Sequence, residues 1–146
     1  MTSTIEKMSI DNKEALANPK PGDYWHEMFS PYFLVVAKAK NDKFIVLSCL
    51  GGSQLRPNEP NARINSVGGW YFDYSKSMAV DRDWMTKAVT YQNSPGFAAD
   101  VVRDSEKYLS IVNEWRDHTS KKMQKQIALL QKEWEEFTGW AELSAN

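Results

Sequence analysis

The sequence is poor in the residues that hold metals or build covalent intermediates. Cys49 is the only cysteine, which excludes an intramolecular disulfide and a cysteine-rich zinc cage. His26 and His118 are the only histidines, and no two of the His, Cys, Asp and Glu residues show the short spacing that zinc ligands need. Asp81 and Asp83 alternate in a predicted turn, yet a hard cation needs about six oxygens and two are visible. Phosphate loop, dinucleotide fingerprint, nucleophile elbow and paired-carboxylate motif are all missing. Cys49 falls inside an apolar run, where free cysteine behaves as a small hydrophobe and not as a nucleophile. The expectation is a protein without metal, cofactor or catalytic site.

A basic excess is lacking too. The formal net charge of −1 argues against a dedicated nucleic-acid binder, which needs a clear surplus of Lys and Arg to displace phosphate counterions. No eighteen apolar residues run together, and the first twenty-odd residues lack an apolar stretch behind a basic start. The expected compartment is the cytoplasm.

Aromatic residues, by contrast, are plentiful: six Trp, six Tyr and six Phe in 146 residues. A chain of this length forms one domain that buries roughly two-thirds of its unfolded surface. Residues 1–21 read as an N-terminal arm with a short helix over residues 11–17, capped by Asp11 with Glu14 three positions on. Pro19, Pro21 and Gly22 then end it. Residues 22–92 read as an antiparallel β-unit. Its clearest part is a hairpin of two apolar runs, 32–39 and 44–50, around a polar turn containing Asn41 and Asp42, which tolerate the left-handed conformation. Residues 51–69, with a glycine pair at each end and two prolines between, read as one long loop. Short strands are expected at 70–74, 77–80 and 87–91, with a turn at 81–84.

Residues 93–146 read as a C-terminal helical segment starting at Ser94 and Pro95 and closed by Gly139. Val101, Tyr108, Val112 and Trp115 share one helical face; Met123, Ile127, Leu130, Trp134 and Phe137 alternate spacings of four and three, a heptad seam. The two stripes differ in register by one residue, which fits either a continuous helix with an eleven-residue step or two helices folded back. The predicted class is α+β: a small twisted antiparallel sheet or open SH3-like barrel, followed by one long or two packed helices.

Candidate binding residues follow from what such a sheet cannot hide. Trp70, Phe72 and Tyr74 alternate along one strand and share a face; rings in excess of the core suit a protein partner or base stacking. The expected partner-binding set is Arg56, Arg63, Trp70, Tyr71, Tyr74 and Trp84, the arginines lying in the long loop where guanidinium groups meet phosphate or carboxylate. The seam 123–137 is the expected interface of a homo-oligomer. A protein partner is the first expectation; a nucleotide or nucleic acid held by the loop arginines and exposed rings is the second, and an enzyme built around His26, Asp73 or Asp81 is the third.

The segment PGDYWHEMFSPYFLVVAKAKNDKFIVLS, with its Pro-Gly-Asp lead, apolar strand, tight turn and second strand, together with residues 70–74 and DRDWMTKAVTY, resembles the opening of small SH3-like barrels. The texture of the whole, short and aromatic-rich, is similar to that of small accessory proteins of tailed phages. Such a resemblance implies a non-enzymatic role: binding a host factor, blocking a defence or sequestering a ligand.

Overall fold

The computed structural model describes residues 11–27, 31–50, 64–67, 70–104 and 106–141, and for Leu50, 64–67, Trp70 and Ala141 the backbone alone. In chain order the elements are α1 (Asn12–Ala17), β1 (Tyr24–His26), β2 (Pro31–Lys38), β3 (Phe44–Leu50), β4 (Ile64–Val67), β5 (Trp70–Val80), α2 (Arg82–Val89), β6 (Asp100–Val102) and α3 (Glu106–Ala141). The class is α+β. The strands form one six-stranded sheet in the order β4-β5-β3-β2-β1-β6, antiparallel at every pairing. β4 and β6 are its edges, so the sheet is open and not closed into a barrel.

The hairpin lies where the apolar runs place it. Asn41 and Asp42 carry φ of 62° and 57°, the left-handed conformation that tight hairpin turns use to match strand twist, and Ala39 N donates to Lys43 O at 2.8 Å across it. Arg82 braces the turn from α2, pairing with Asp42 at 3.1 Å and donating to Ala17 O.

Both faces of the sheet are covered, which explains why β2 reads as a continuous apolar run instead of an alternation. Phe33 and Val35 point into one cluster with Trp25, Phe44, Val46, Val80, Met85, Val89 and Ala15, closed by α1 and α2. Leu34 and Val36 point into the other with Tyr24, Leu47, Phe72, Tyr74, Ile111, Val112 and Trp115, closed by α3. The ends are tied by a buried ion pair: Arg103 donates from Nε to Asp23 Oδ1 at 2.6 Å and from Nη2 to Asp23 Oδ2 at 2.9 Å.

Five expectations need correction. Residues 87–89 are helical, not a strand: Asp81 accepts from Trp84 N at 2.8 Å as an N-cap, Lys87 pairs with Asp83 one turn back, and Met85 and Val89, four apart, bury one helical face. No helix starts at Ser94; Gly96 has φ of 130° and the chain passes into β6, where Val101 is a strand residue paired with Trp25. Gly139 does not end α3, which continues to Ala141; it meets no neighbour there. Residues 64–67, read as loop, form the edge strand β4 on β5, and 70–80 is one strand, not two. The C-terminal element is one continuous helix of 36 residues, about 54 Å long at 1.5 Å per residue.

Candidate functional site

α3 lies across β2 and β5 only with its first part. Ile111, Val112 and Trp115 are buried, and Tyr108, Glu114, His118 and Thr119 half-buried. Every residue from 120 to 140 is exposed, Thr138 alone being half-buried. The sequence accounts for the departure: between Trp115 and Met123 stands a wholly polar stretch, so nothing apolar draws the helix onto the sheet. The outer part is a free helical arm. Along it Met123, Ile127, Leu130, Trp134 and Phe137 are 46–64% exposed, and Trp134 and Phe137 stack in a tilted pair 5.8 Å apart. Leu129 and Trp140 are exposed as well. They escaped the seam reading because Leu129 stands outside the heptad spacing and Trp140 lies past Gly139.

The root of the arm holds a cleft, and a bulge in β5 makes it. Leu47 pairs with Ser77 and Cys49 with Phe72, so residues 73–76 of β5 stand opposite the single residue Ser48 of β3. The extra residues fold into a side-chain turn in which buried Asp73 Oδ1 accepts from Ser75 N at 3.0 Å and from Ser75 Oγ at 2.6 Å. The alternation of faces is thereby reset. Serines follow where Phe72 and Tyr74 lay over the core, and a cleft of about 200 Å³ opens between Tyr74, Ser75, Ser77 and the helix residues His118, Thr119, Lys122, Met123 and Gln126. Tyr74 donates to Glu114 Oε2 at 2.7 Å, and its ring lies 6.1 Å from that of His118. The cleft therefore combines an apolar wall with hydroxyls and the Lys122 ammonium.

Of the partner-binding residues read from sequence, Arg56 and Arg63 lie outside the described residues, and Trp70 is described only as the first residue of β5, paired with Val67. Tyr71 is half-buried, Tyr74 buried under α3, and Trp84 half-buried on α2 against Phe33, ring centroids 5.4 Å apart. Tyr74 and Trp84 belong to opposite faces of the sheet and share no surface. Tyr74 went into the core because both faces of the sheet are covered, not one.

The side chains considered for catalysis do not converge. His26 on β1 and Asp73 on β5 are three strand positions apart, roughly 14 Å at about 4.8 Å per strand, and Asp81 is occupied in capping α2. Cys49 sits with its thiol 4.0 Å from the Tyr24 hydroxyl; burial pushes its pKa up to about 12, so it holds its proton at neutral pH. Tyr24 is stacked between His26 and Tyr108, with centroids at 5.4 and 4.1 Å, and burial raises its pKa as well. Among the described residues no three His, Cys, Asp or Glu side chains gather as metal ligands, and no helix is long and apolar enough to cross a membrane.

The chain matches no family model, no curated protein and no solved structure. Its geometry is what bears on its role, and the most unusual part of that geometry is the arm. Contiguous apolar surface on an isolated helix is costly in water unless something covers it.

Proposed function

We propose that this chain is a non-catalytic binding protein that works by protein–protein contact, with the α3 arm as its contact element and the two-faced sheet as the scaffold that holds it out. The observation that carries this reading is the exposed seam of Met123, Ile127, Leu130, Trp134 and Phe137 on a helix section against which no other element packs among the described residues. A helix-in-groove or helix-on-helix contact is read through anchors at such spacings, and two of the five are aromatic, the type enriched among residues that dominate interface energy. The resemblance to tailed-phage accessory proteins accords with this role, an assembly acting on a host protein. Arg56, Arg63, Trp70 and Tyr71 stay in the proposal as residues that contact the partner, on the grounds of their residue types.

The test is site-specific photo-cross-linking in the producing cells, with the cross-linking residue at Leu130 on the seam and, as control, at Lys132 on the opposite side. Protein adducts at position 130 and none at 132 are expected, whether the adduct is a second copy or another protein. No adduct at 130 would overturn the reading.

A further inference from the structure

Deepening that reading, and resting on it, we infer that the seam of the arm is covered by the arm of a second copy running antiparallel, with Trp140 of each copy seated over the cleft at the root of the other. Three observations carry it.

The first is charge. Along the arm Lys121, Lys122 and Lys125 come first and Glu133, Glu135 and Glu136 last, so a parallel pair sets like charge beside like, while an antiparallel pair sets each basic stretch along an acidic one. The same polarity appears beside the seam. Lys122 and Glu133 are eleven residues apart, which at 3.6 residues per turn puts them within about 20° of each other on the same flank of the seam. In antiparallel helix pairs like flanks meet, so Lys122 of one copy lies beside Glu133 of the other, twice per dimer.

The second is register. Centring the pair between residues 128 and 129 brings Ile127 against Leu130 of the other copy and Met123 against Trp134, a flexible thioether under a large ring. The same register carries Phe137 to the level of Ser120 and Trp140 to that of Asp117, next to the cleft residue His118. Thr119, Lys122 and Met123 line the cleft beneath the bulge, and Trp140 is 82% exposed, more than any other large apolar residue described. The most exposed ring and the open cleft are thus brought together by the alignment that the seam and charges favour.

The third is area. Five half-exposed seam side chains offer on the order of 100 Å² each, since a large side chain presents roughly 150–250 Å² when wholly buried. Two copies together then remove about 1,000 Å², the lower bound for a specific interface, and Trp140 in the cleft raises it.

The experiment uses the full-length chain. Light scattering with size exclusion at about 20 µM is expected to give twice the monomer mass. Orientation is read from spin labels at Glu136→Cys in a Cys49→Ala background: antiparallel helices separate the two labels by about 22 Å along the axis, parallel ones set them side by side. Lys122→Glu or Glu133→Lys alone should weaken the dimer about fivefold, and the two together restore it to within about twofold; Trp140→Ala should weaken it about tenfold. Positions 122, 133, 136 and 140 are exposed, so folding is preserved, which circular dichroism checks for these variants and for the Cys49→Ala background. A monomer, any larger assembly, adjacent labels or a double variant without recovery would each overturn the inference. A monomer whose position 130 still cross-links to another protein would sink the second copy while leaving the binding role standing.

Discussion

At the scale of single residues, the strongest constraint is a pair the sequence gives no sign of. Asp23 and Arg103 lie far apart in the chain, yet Asp23 is wholly buried, meets Arg103 through both carboxylate oxygens and also accepts from Lys20 N at 3.0 Å. Removing one charge strands the other inside, so Arg103→Met is expected to cost about 3–5 kcal/mol of stability in urea unfolding, and the double variant with Asp23→Asn to recover a substantial part. Cys49 gives a pH prediction. Its folded pKa is raised by burial from 9.0 to about 12, so the unfolded chain loses that proton first. The stabilisation is complete below pH 9 and declines as pH rises from 9 toward 12. Tyr24 and Tyr108, also raised by burial, act in the same direction at higher pH. The urea midpoint should fall between pH 8 and pH 10.5, and fall less in Cys49→Ala; equal losses in both proteins would show that Cys49 has no part in it. Alkylation of Cys49 at pH 8 should be slow in the native protein and fast in urea. Gly22 supplies a further case: its φ is +99° and an added Cβ would stand 2.9 Å from Leu109 Cδ2. Gly22→Ala should therefore destabilise by roughly 1–3 kcal/mol in the same urea measurement.

At the scale of elements, local chemistry was legible wherever neighbours in sequence decide the outcome. The hairpin followed from two apolar runs and two residues tolerant of positive φ, and the long helix from its spacing. The misreadings occurred where a local signal had two meanings. Val89 and Thr90 favour strands by type, yet the Asp81 cap and the Met85 and Val89 spacing favour a helix that covers a face; the tertiary need decided. Ser94 and Pro95 have the form of a helix start, but β1 lacked a partner on its outer side and took residues 100–102. The bulge in β5 showed in the sequence only as the gap at 75–76 between two expected strands, because Tyr74 continues the alternation of Phe72 while Asp73, Ser75 and Lys76 are polar like the residues of any turn. The arm also makes an element-scale prediction. A section of about twenty residues whose side chains lie almost wholly exposed is a marginal helix by itself, so covering its seam should also hold it folded. Ile127→Glu with Leu130→Glu should reduce helical ellipticity by an amount equal to most of that section, while the signals of the body persist. Undiminished ellipticity would show that the arm is helical without a partner.

At the scale of the whole molecule, two parts of different physical character are joined through one helix. The body satisfies itself: α1 and α2 close one face, the first part of α3 closes the other, and Asp23 and Arg103 fasten the ends. The arm buries its seam against none of the described residues. The candidate site was therefore half legible, since the seam could be read from spacing alone, whereas the enclosure of Phe72 and Tyr74 depended on a second covered face that no local pattern announces. This division predicts the result of a cut between the parts. A chain ending at Lys122 keeps every buried residue of α3, and the described residues it loses are exposed save half-buried Thr138, so its urea-unfolding free energy, compared with that of a monomeric full-length variant such as Ile127→Glu, should agree within about 0.5 kcal/mol. The wild-type chain, by contrast, should unfold at a temperature that rises with protein concentration, since association stabilises the folded state by mass action, and the shortened chain should not. A large loss of stability on shortening would mean that the arm folds back to support the body, and the separation of scaffold from contact element would fail.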